Sequence, residues 1–175
     1  MPNEYALVAT ERAMRQHIAQ LNLDFEAAHV ISSVYRAANA VRSRVTAEVL
    51  RPYGLTWTGF VVMWVVWIWD TIESRHAADA AAISKATLTG VVRTLEGHGW
   101  MLRTEKAGDR RKVELSLTPA GIALMQELYP KFNQEESRVV SGLSTRRRRE
   151  VINSLRGIII AIEAMDNDED HDEAS

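Results

Sequence analysis

The chain contains no cysteine. Disulfides, thiol redox sensing and thiolate metal sites are therefore excluded, and a cytosolic setting is expected. Nor is there an apolar run long enough to span a bilayer. The most apolar stretch, Phe60 to Ile68, is short and gives way to Asp70. No cationic segment precedes an apolar one near the start, so no signal peptide is read and a cytoplasmic location without membrane contact follows. The histidines never fall three or four residues apart, and no H-E-x-x-H set occurs, so neither a metal site nor a cofactor is expected. A nucleophile elbow, a phosphate loop and carboxylates placed to share a cleft are all missing, which argues against an enzyme. There is no internal repeat.

Overall charge is also scarce, at −2, but the total hides a sorting. The last ten residues, DNDEDHDEAS, hold six acids and no lysine or arginine, leaving 21 basic against 17 acidic residues in the body. Between Ser84 and Thr118 stand seven basic and four acidic residues. A protein that binds a polyanion needs its cations gathered on one surface more than it needs a high total.

The stretch from Ser84 to Thr118 organises the rest. Leu88, Val91, Val92 and Leu95 repeat at helical spacing, which predicts a helix over Ser84 to His98. Ser84 is placed to cap its first amides, and Gly97 and Gly99 supply a stop. The opposite face carries Lys85, Ala86, Thr89, Gly90 and Arg93, with Glu96 the one acid near the far end. A face without bulk or negative charge can lie against phosphates and base edges. The period then changes from helix to strand. Trp100 to Lys106 and Lys112 to Thr118 alternate, with Met101, Val113, Leu115 and Leu117 apolar, around Ala107-Gly108-Asp109-Arg110-Arg111. This predicts a β-hairpin with Arg110, Arg111 and Lys112 at its tip. A cationic hairpin beside a small-faced helix outlines a winged helix-turn-helix.

GDRRKVELSLTPAG, preceded by ISKATLTGVVRTLEGHGW, resembles the MarR family of bacterial transcriptional regulators. The wing pattern matches at Asp109, Arg111, Leu117, Thr118 and Gly121, and the second-helix opening at Gly54, Leu55, Thr56 and Phe60. The resemblance covers roughly Phe25 to Met165. It departs at the turn before the recognition helix, where the family usually has glycine and this chain has Ala82. The resemblance implies that Arg111 enters a minor groove and that Asp109 braces the hairpin. Arg110 and Lys112 are expected at phosphates, and Ser84, Lys85, Thr87, Thr89 and Arg93 on the DNA-facing side of the recognition helix. It also implies a small-molecule pocket lined by the first and second helices. There Trp57, Phe60, Trp64 and Trp67 would stack an aromatic ligand, and Arg36 with His29 would hold a carboxylate. Plain core packing accounts equally for those aromatics.

In order along the chain, residues 1–22 read as an N-terminal extension, helical from Glu4. It either packs on a partner subunit or frays. Asp24 should cap a long helix, Phe25 to about Leu50, ended by Pro52 and Gly54. Thr56 should cap an almost wholly apolar helix reaching about Ile72, which must be buried on most sides. A short alanine-rich helix, His76 to Ala81, follows. After the wing, Pro119 opens a helix to about Leu143 that Pro130 should kink. A last helix, about Arg146 to Met165, follows, and residues 166–175 read as a disordered acidic tail. The Arg146–Arg149 run fits a solvated helix end, a second DNA contact or a partner for the acidic tail.

The predicted fold is mainly α with a small β-hairpin wing. A winged helix-turn-helix domain (53–118) is joined to a helical dimerisation region (23–52 and 119–165). The stripes on the first and last helices need a partner, so a homodimer is expected to set two recognition helices on a palindromic operator in double-stranded DNA. The function that follows is a sequence-specific transcriptional regulator, a repressor released by a small aromatic or carboxylate-bearing ligand. The competing class is a protein-interaction module that keeps the winged fold without specific DNA binding.

Overall fold

The computed structural model describes residues 8–10, 12–13, 16, 21, 23–106 and 109–172, with backbone alone for 106, 109–111 and 167–172. The expectations for 1–22 thus fall largely outside the described residues; 8–10, 12–13 and 16 are helical. The chain divides into two compact units, Met1–Arg44 and Val45–Ser175.

Helix α1, Phe25–Val45, belongs to the first unit in all but its last residue. Asp24 caps it, its Oδ1 accepting from the amides of Glu26 at 3.0 Å and Ala27 at 2.9 Å. The α-helix stops earlier than the apolar pattern predicts. Thr46–Leu50 is a π turn and Arg51–Tyr53 a 3-10 turn. Pro52 has no amide to continue the ladder, so the winding changes before it. Gly54 then reverses the chain at a φ of 68°, a conformation glycine adopts without penalty.

In the second unit, helix α2 spans Trp57–Trp69, with the Thr56 side chain accepting from the Gly59 amide. Its core side is made by Phe60, Val62, Met63, Val65 and Val66, all buried, while Ile68 and Trp69 are exposed. The helix ends three residues sooner than expected. Asp70, at φ 56°, breaks it, and Thr71–Glu73 forms strand β1. The short helix α3 covers Ser74–Ala80, its Ala77 and Ala78 buried. A turn through Ala82, at φ 51°, leads to helix α4, Lys85–Gly97. Strands β2 (Met101–Lys106) and β3 (Asp109–Leu117) follow. The sheet is antiparallel in the order β1-β3-β2, so the predicted two-stranded wing has a third strand at its root. Three residues show no periodicity of their own; β1 exists because Thr71, Ile72 and Glu73 pair with Ser116, Leu115 and Glu114.

Helix α5, Pro119–Val139, starts at a Thr118 cap and remains one helix through Pro130, ending short of the expected Leu143. Helix α6 is Thr145–Asp172. It runs on through residues expected to form a disordered tail, because extending an existing helix costs far less per residue than starting one. Every described side chain from Thr145 to Asp166 is exposed except the half-buried Ile158.

The core of this unit lies where α2, α4, α5 and the sheet meet, around Met63, Leu95, Met101, Leu115, Met125 and Leu128. Across it, Phe60 of α2 stacks on Phe132 of α5 with centroids 4.3 Å apart.

Candidate nucleic-acid interface

Helix α4 is held by its inward face: Leu88, Val92 and Leu95 are buried and Val91 is half-buried. Ser84 caps it, its Oγ accepting from the Thr87 amide at 3.1 Å and lying 2.8 Å from Thr87 Oγ1. The other face is open. Ser84, Lys85, Ala86, Thr87, Thr89, Gly90 and Arg93 are all exposed, and an added Cβ at Gly90 would meet nothing within 4 Å. Thr89 donates back to the Lys85 carbonyl at 2.9 Å, which fixes its rotamer and leaves its oxygen lone pairs outward.

Glu96, the acid on this helix, is neutralised by Arg103 of β2 at 2.6 Å. That partner was not evident from sequence, since the two side chains meet only when the hairpin folds back. The open face therefore carries the cations Lys85 and Arg93 with its one acid paired aside.

The hairpin's register is regular from Met101↔Leu117 to Glu105↔Val113 and then jumps to Lys106↔Asp109. Arg110, Arg111 and Lys112 are thus the surplus residues of β3, lying outside the paired ladder. Irregularities of this kind re-aim side chains at the rim of a sheet. The backbone of Asp109, Arg110 and Arg111 belongs to β3, while their side chains lie outside the described residues, as do Ala107 and Gly108. Lys112 lies 3.6 Å from Glu73 of β1, a contact the sequence did not announce because β1 itself was not read.

Between α3, α4 and the sheet is a cleft of about 520 Å³. Arg75, His76, Thr89, Arg103 and Lys112 line its exposed side, over buried Leu88, Val92 and Leu115. Arg75, His76 and Arg103 join the basic surface here although the sequence reading singled out none of them. Among the described residues no cluster of histidines and acids could hold a metal ion.

The residues expected at a small-molecule pocket are placed as follows. His29 and Arg36 lie on α1 in the first unit, His29 half-buried with its Nε2 covered and making no hydrogen bond among the described residues, Arg36 exposed. Phe60 is core. Trp57, Trp64 and Trp67 are half-buried; Trp57 tilts against Phe132 at 6.1 Å and Trp67 against Tyr129 at 5.6 Å. These rings bind α2 to α5. The 3-10 turn is tied to α5 by an exposed network in which Tyr53 and Lys131 both donate to Glu127 Oε1 at 2.7 Å, and Lys131 also donates to Tyr53. The Lys131 hydrogen bond, then that of Tyr53, holds the Glu127 carboxyl below its usual range, and Glu127 in turn raises Lys131.

Comparison with known proteins agrees with this geometry. The profile of the MarR family matches residues 55–113, which run from the turn before α2 into the wing. A Bacillus subtilis HTH-type transcriptional regulator, YwaE, is 32% identical over 137 residues, 78% of this chain and 80% of the relative. The chain belongs to the MarR family. Among solved structures, Bordetella bronchiseptica BpsR, whose DNA binding is regulated by 6-hydroxynicotinic acid, is 26% identical with a TM-score of 0.64, covering 76% of this chain and 98% of BpsR. A mutant MarR from E.coli complexed with operator DNA shares the fold, with a TM-score of 0.71 at 19% identity over 79% of this chain and 99% of that one. The MarR family and its relatives are transcriptional regulators and not enzymes, and this member is a transcriptional regulator of the winged-helix type. No single helix among its described residues is long and apolar enough to cross a membrane.

Proposed function

We propose that this MarR-family regulator acts in the cytoplasm as a homodimeric, sequence-specific repressor that a small aromatic or carboxylate-bearing ligand releases from a palindromic operator. The observation that carries the reading is the open face of α4, where Lys85, Thr87, Thr89 and Arg93 are exposed beside a hairpin whose surplus residues are basic. Lys85, Thr89 and Arg93 read base edges and phosphates in the major groove. Arg111 enters the adjacent minor groove, Asp109 braces the hairpin, and Arg110 and Lys112 add salt-dependent affinity at phosphates. The E.coli MarR complex with operator DNA supports DNA as the partner. The exposed apolar side chains of α6 support a second subunit. The BpsR case supports control by a small acid. Release then requires the ligand to favour a subunit arrangement whose recognition helices no longer match successive major grooves.

The test is binding of the purified chain to genomic fragments, its own promoter region included, across a salt series. Enrichment of a palindromic site with affinity falling steeply in salt is the expected result. Arg111→Ala should weaken that binding about tenfold to a hundredfold, in line with loss of one good groove contact. Salt-independent behaviour with no preferred site would replace this reading with a protein-interaction module.

A further inference from the structure

We infer that the cleft between α4 and the hairpin seats the sugar–phosphate strand that separates the two DNA grooves, that Arg75 holds a phosphate of that strand, and that Arg103 is a positioning residue that sets the spread of the wing through Glu96. The inference rests on the reading of α4 and the wing as the DNA-binding elements. It adds where the strand between them lies and what gauges the space it occupies.

The first observation is topological. A protein that reaches a major groove with one element and the adjacent minor groove with another straddles the strand dividing them. Here the two elements are α4 and the hairpin, and the space between them is the cleft of about 520 Å³. Thr89 stands on its α4 wall and Lys112 on its hairpin wall. Lys85, Thr89 and Glu96, at i, i+4 and i+11, share one flank of α4, and Thr89 and Glu96 show that this flank is the one turned to the hairpin.

The second is charge. Arg75 and His76 of α3 stand on the cleft's remaining side, both exposed, and neither makes a hydrogen bond or ion pair among the described residues. The neighbouring cations are engaged: Lys112 lies 3.6 Å from Glu73, and Arg103 Nη2 lies 2.6 Å from Glu96 Oε2. Leu88, Val92 and Leu115 close the floor with buried apolar side chains, which leaves polar contact to the rim. A guanidinium standing at such a rim binds a phosphate by charge-assisted bonds.

The third is leverage. Arg103 springs from the inner face of the sheet, since its ladder partner Leu115 is 1% exposed. Its guanidinium is committed to Glu96, so it braces the hairpin against α4. The two side chains are 36% and 33% exposed, and a pair that open contributes little to stability; its consequence is geometric. At about 3.4 Å per residue the brace lies about 7 Å along β2 from Met101, and the end of β2 at Lys106 about 17 Å. Slack of about 1 Å at the brace therefore moves the tip by about 2.4 Å, enough to break a hydrogen bond in a groove, which is gone by about 3.6 Å.

The experiment uses the full chain and the operator duplex recovered from the genomic selection. Arg75→Ala should lower affinity about threefold to tenfold and flatten the dependence of log affinity on log salt by about one. A neutral methylphosphonate placed at each linkage in turn should find one, between the major-groove and minor-groove protections, that weakens wild type and leaves Arg75→Ala unaffected. Arg103→Ala should lower affinity about tenfold, as for loss of one good groove contact. It should remove hydroxyl-radical protection in the minor groove while dimethyl sulfate protection in the major groove stays, and Tm should move by no more than about 2 °C. Its loss should not add to that of Arg111→Ala, because the wing can be lost only once. Glu96→Arg with Arg103→Glu should restore the minor-groove footprint. Unchanged salt dependence in Arg75→Ala overturns the phosphate seat. Full additivity of Arg103→Ala with Arg111→Ala makes Arg103 a DNA contact and overturns its positioning role, as does a charge swap that restores nothing. Wild-type binding that is steep in salt, with neither variant impaired, overturns this inference alone. A wild-type chain with no preferred site and no salt dependence overturns the DNA-binding reading and this inference together.

Discussion

Replacing Gly121 with alanine adds one methyl group, and the structure says where it lands. A Cβ at Gly121 would sit 2.1 Å from the Trp100 carbonyl oxygen, 3.0 Å from its carbon and 3.2 Å from its Cα. All three are backbone atoms, so no rotamer change relieves the clash, and the start of α5 must withdraw by about 1 Å. That start is tied to the same place: the Thr118 amide donates to the Trp100 oxygen at 3.0 Å and Thr118 Oγ1 to the Gly99 carbonyl at 2.6 Å. Overpacking of this kind costs about 1–3 kcal/mol, and each weakened hydrogen bond about 1 kcal/mol more. The helix preference of alanine returns up to about 1 kcal/mol. The net loss should be roughly 2–4 kcal/mol, a fall in Tm of roughly 5–15 °C for a chain of this size. Gly90→Ala is the control, because its methyl meets nothing within 4 Å; it should gain about 0.5–1 kcal/mol from helix preference alone. Urea unfolding followed by circular dichroism, at one protomer concentration for all variants, measures both. If Gly121→Ala stays within about 0.5 kcal/mol of wild type, a margin typical of inert surface changes, the close approach of α5 to Trp100 is wrong.

Ala82 holds φ 51°, which costs a residue with a Cβ about 1–2 kcal/mol; Ala82→Gly should raise stability by roughly 0.5–1 kcal/mol after the added unfolded-state freedom of glycine is counted, and a loss in thermal denaturation would contradict the strained turn. Phe132→Ala removes the ring on which Phe60 stacks and against which Trp57 and Tyr129 lie, and should cost about 3–5 kcal/mol, read from tryptophan fluorescence in urea. The Glu127 carboxyl is held below its usual 4.5, so its contribution to stability is complete above that pH and fades as pH falls through the lowered value. The raised Lys131 ammonium keeps its share until strongly alkaline pH. Tyr53→Phe deletes one donor to Glu127 and should return that carboxyl's titration toward 4.5, followed by carbon-detected NMR; an unchanged titration would remove Tyr53 from the network.

The helix caps could be read from sequence because their chemistry is local. Asp24, Thr56 and Ser84 each lie beside the amides they satisfy, and the stripe of Leu88, Val92 and Leu95 shows in its own spacing. What escaped was whatever depends on a distant partner. Strand β1 has no pattern until Ser116, Leu115 and Glu114 are laid beside it. Arg103 is an ordinary strand residue until the hairpin brings it to Glu96. The alanine-rich α3 shows why size matters: Ala77 and Ala78 are fully buried, so their smallness allows close packing. At the last helix, acidic composition pointed to disorder, while the backbone remains helical to Asp172.

The bonds around Thr118 bear on how a signal reaches the DNA-facing surface. The Trp100 amide donates to the Leu95 carbonyl at 3.0 Å and the Gly99 amide to Glu96 at 2.9 Å, so Gly99 and Trp100 close the C-terminal end of α4 as its cap. Thr118 fastens α5 to both of them. The hairpin leaves from one side of this joint and returns to the other. Among the described residues, the end of α4, the root of the hairpin and the first turn of α5 are thus tied at one joint, like the root of a steering arm. Under the proposed ligand control, any turn of the recognition helix would carry the first turn of α5 with it.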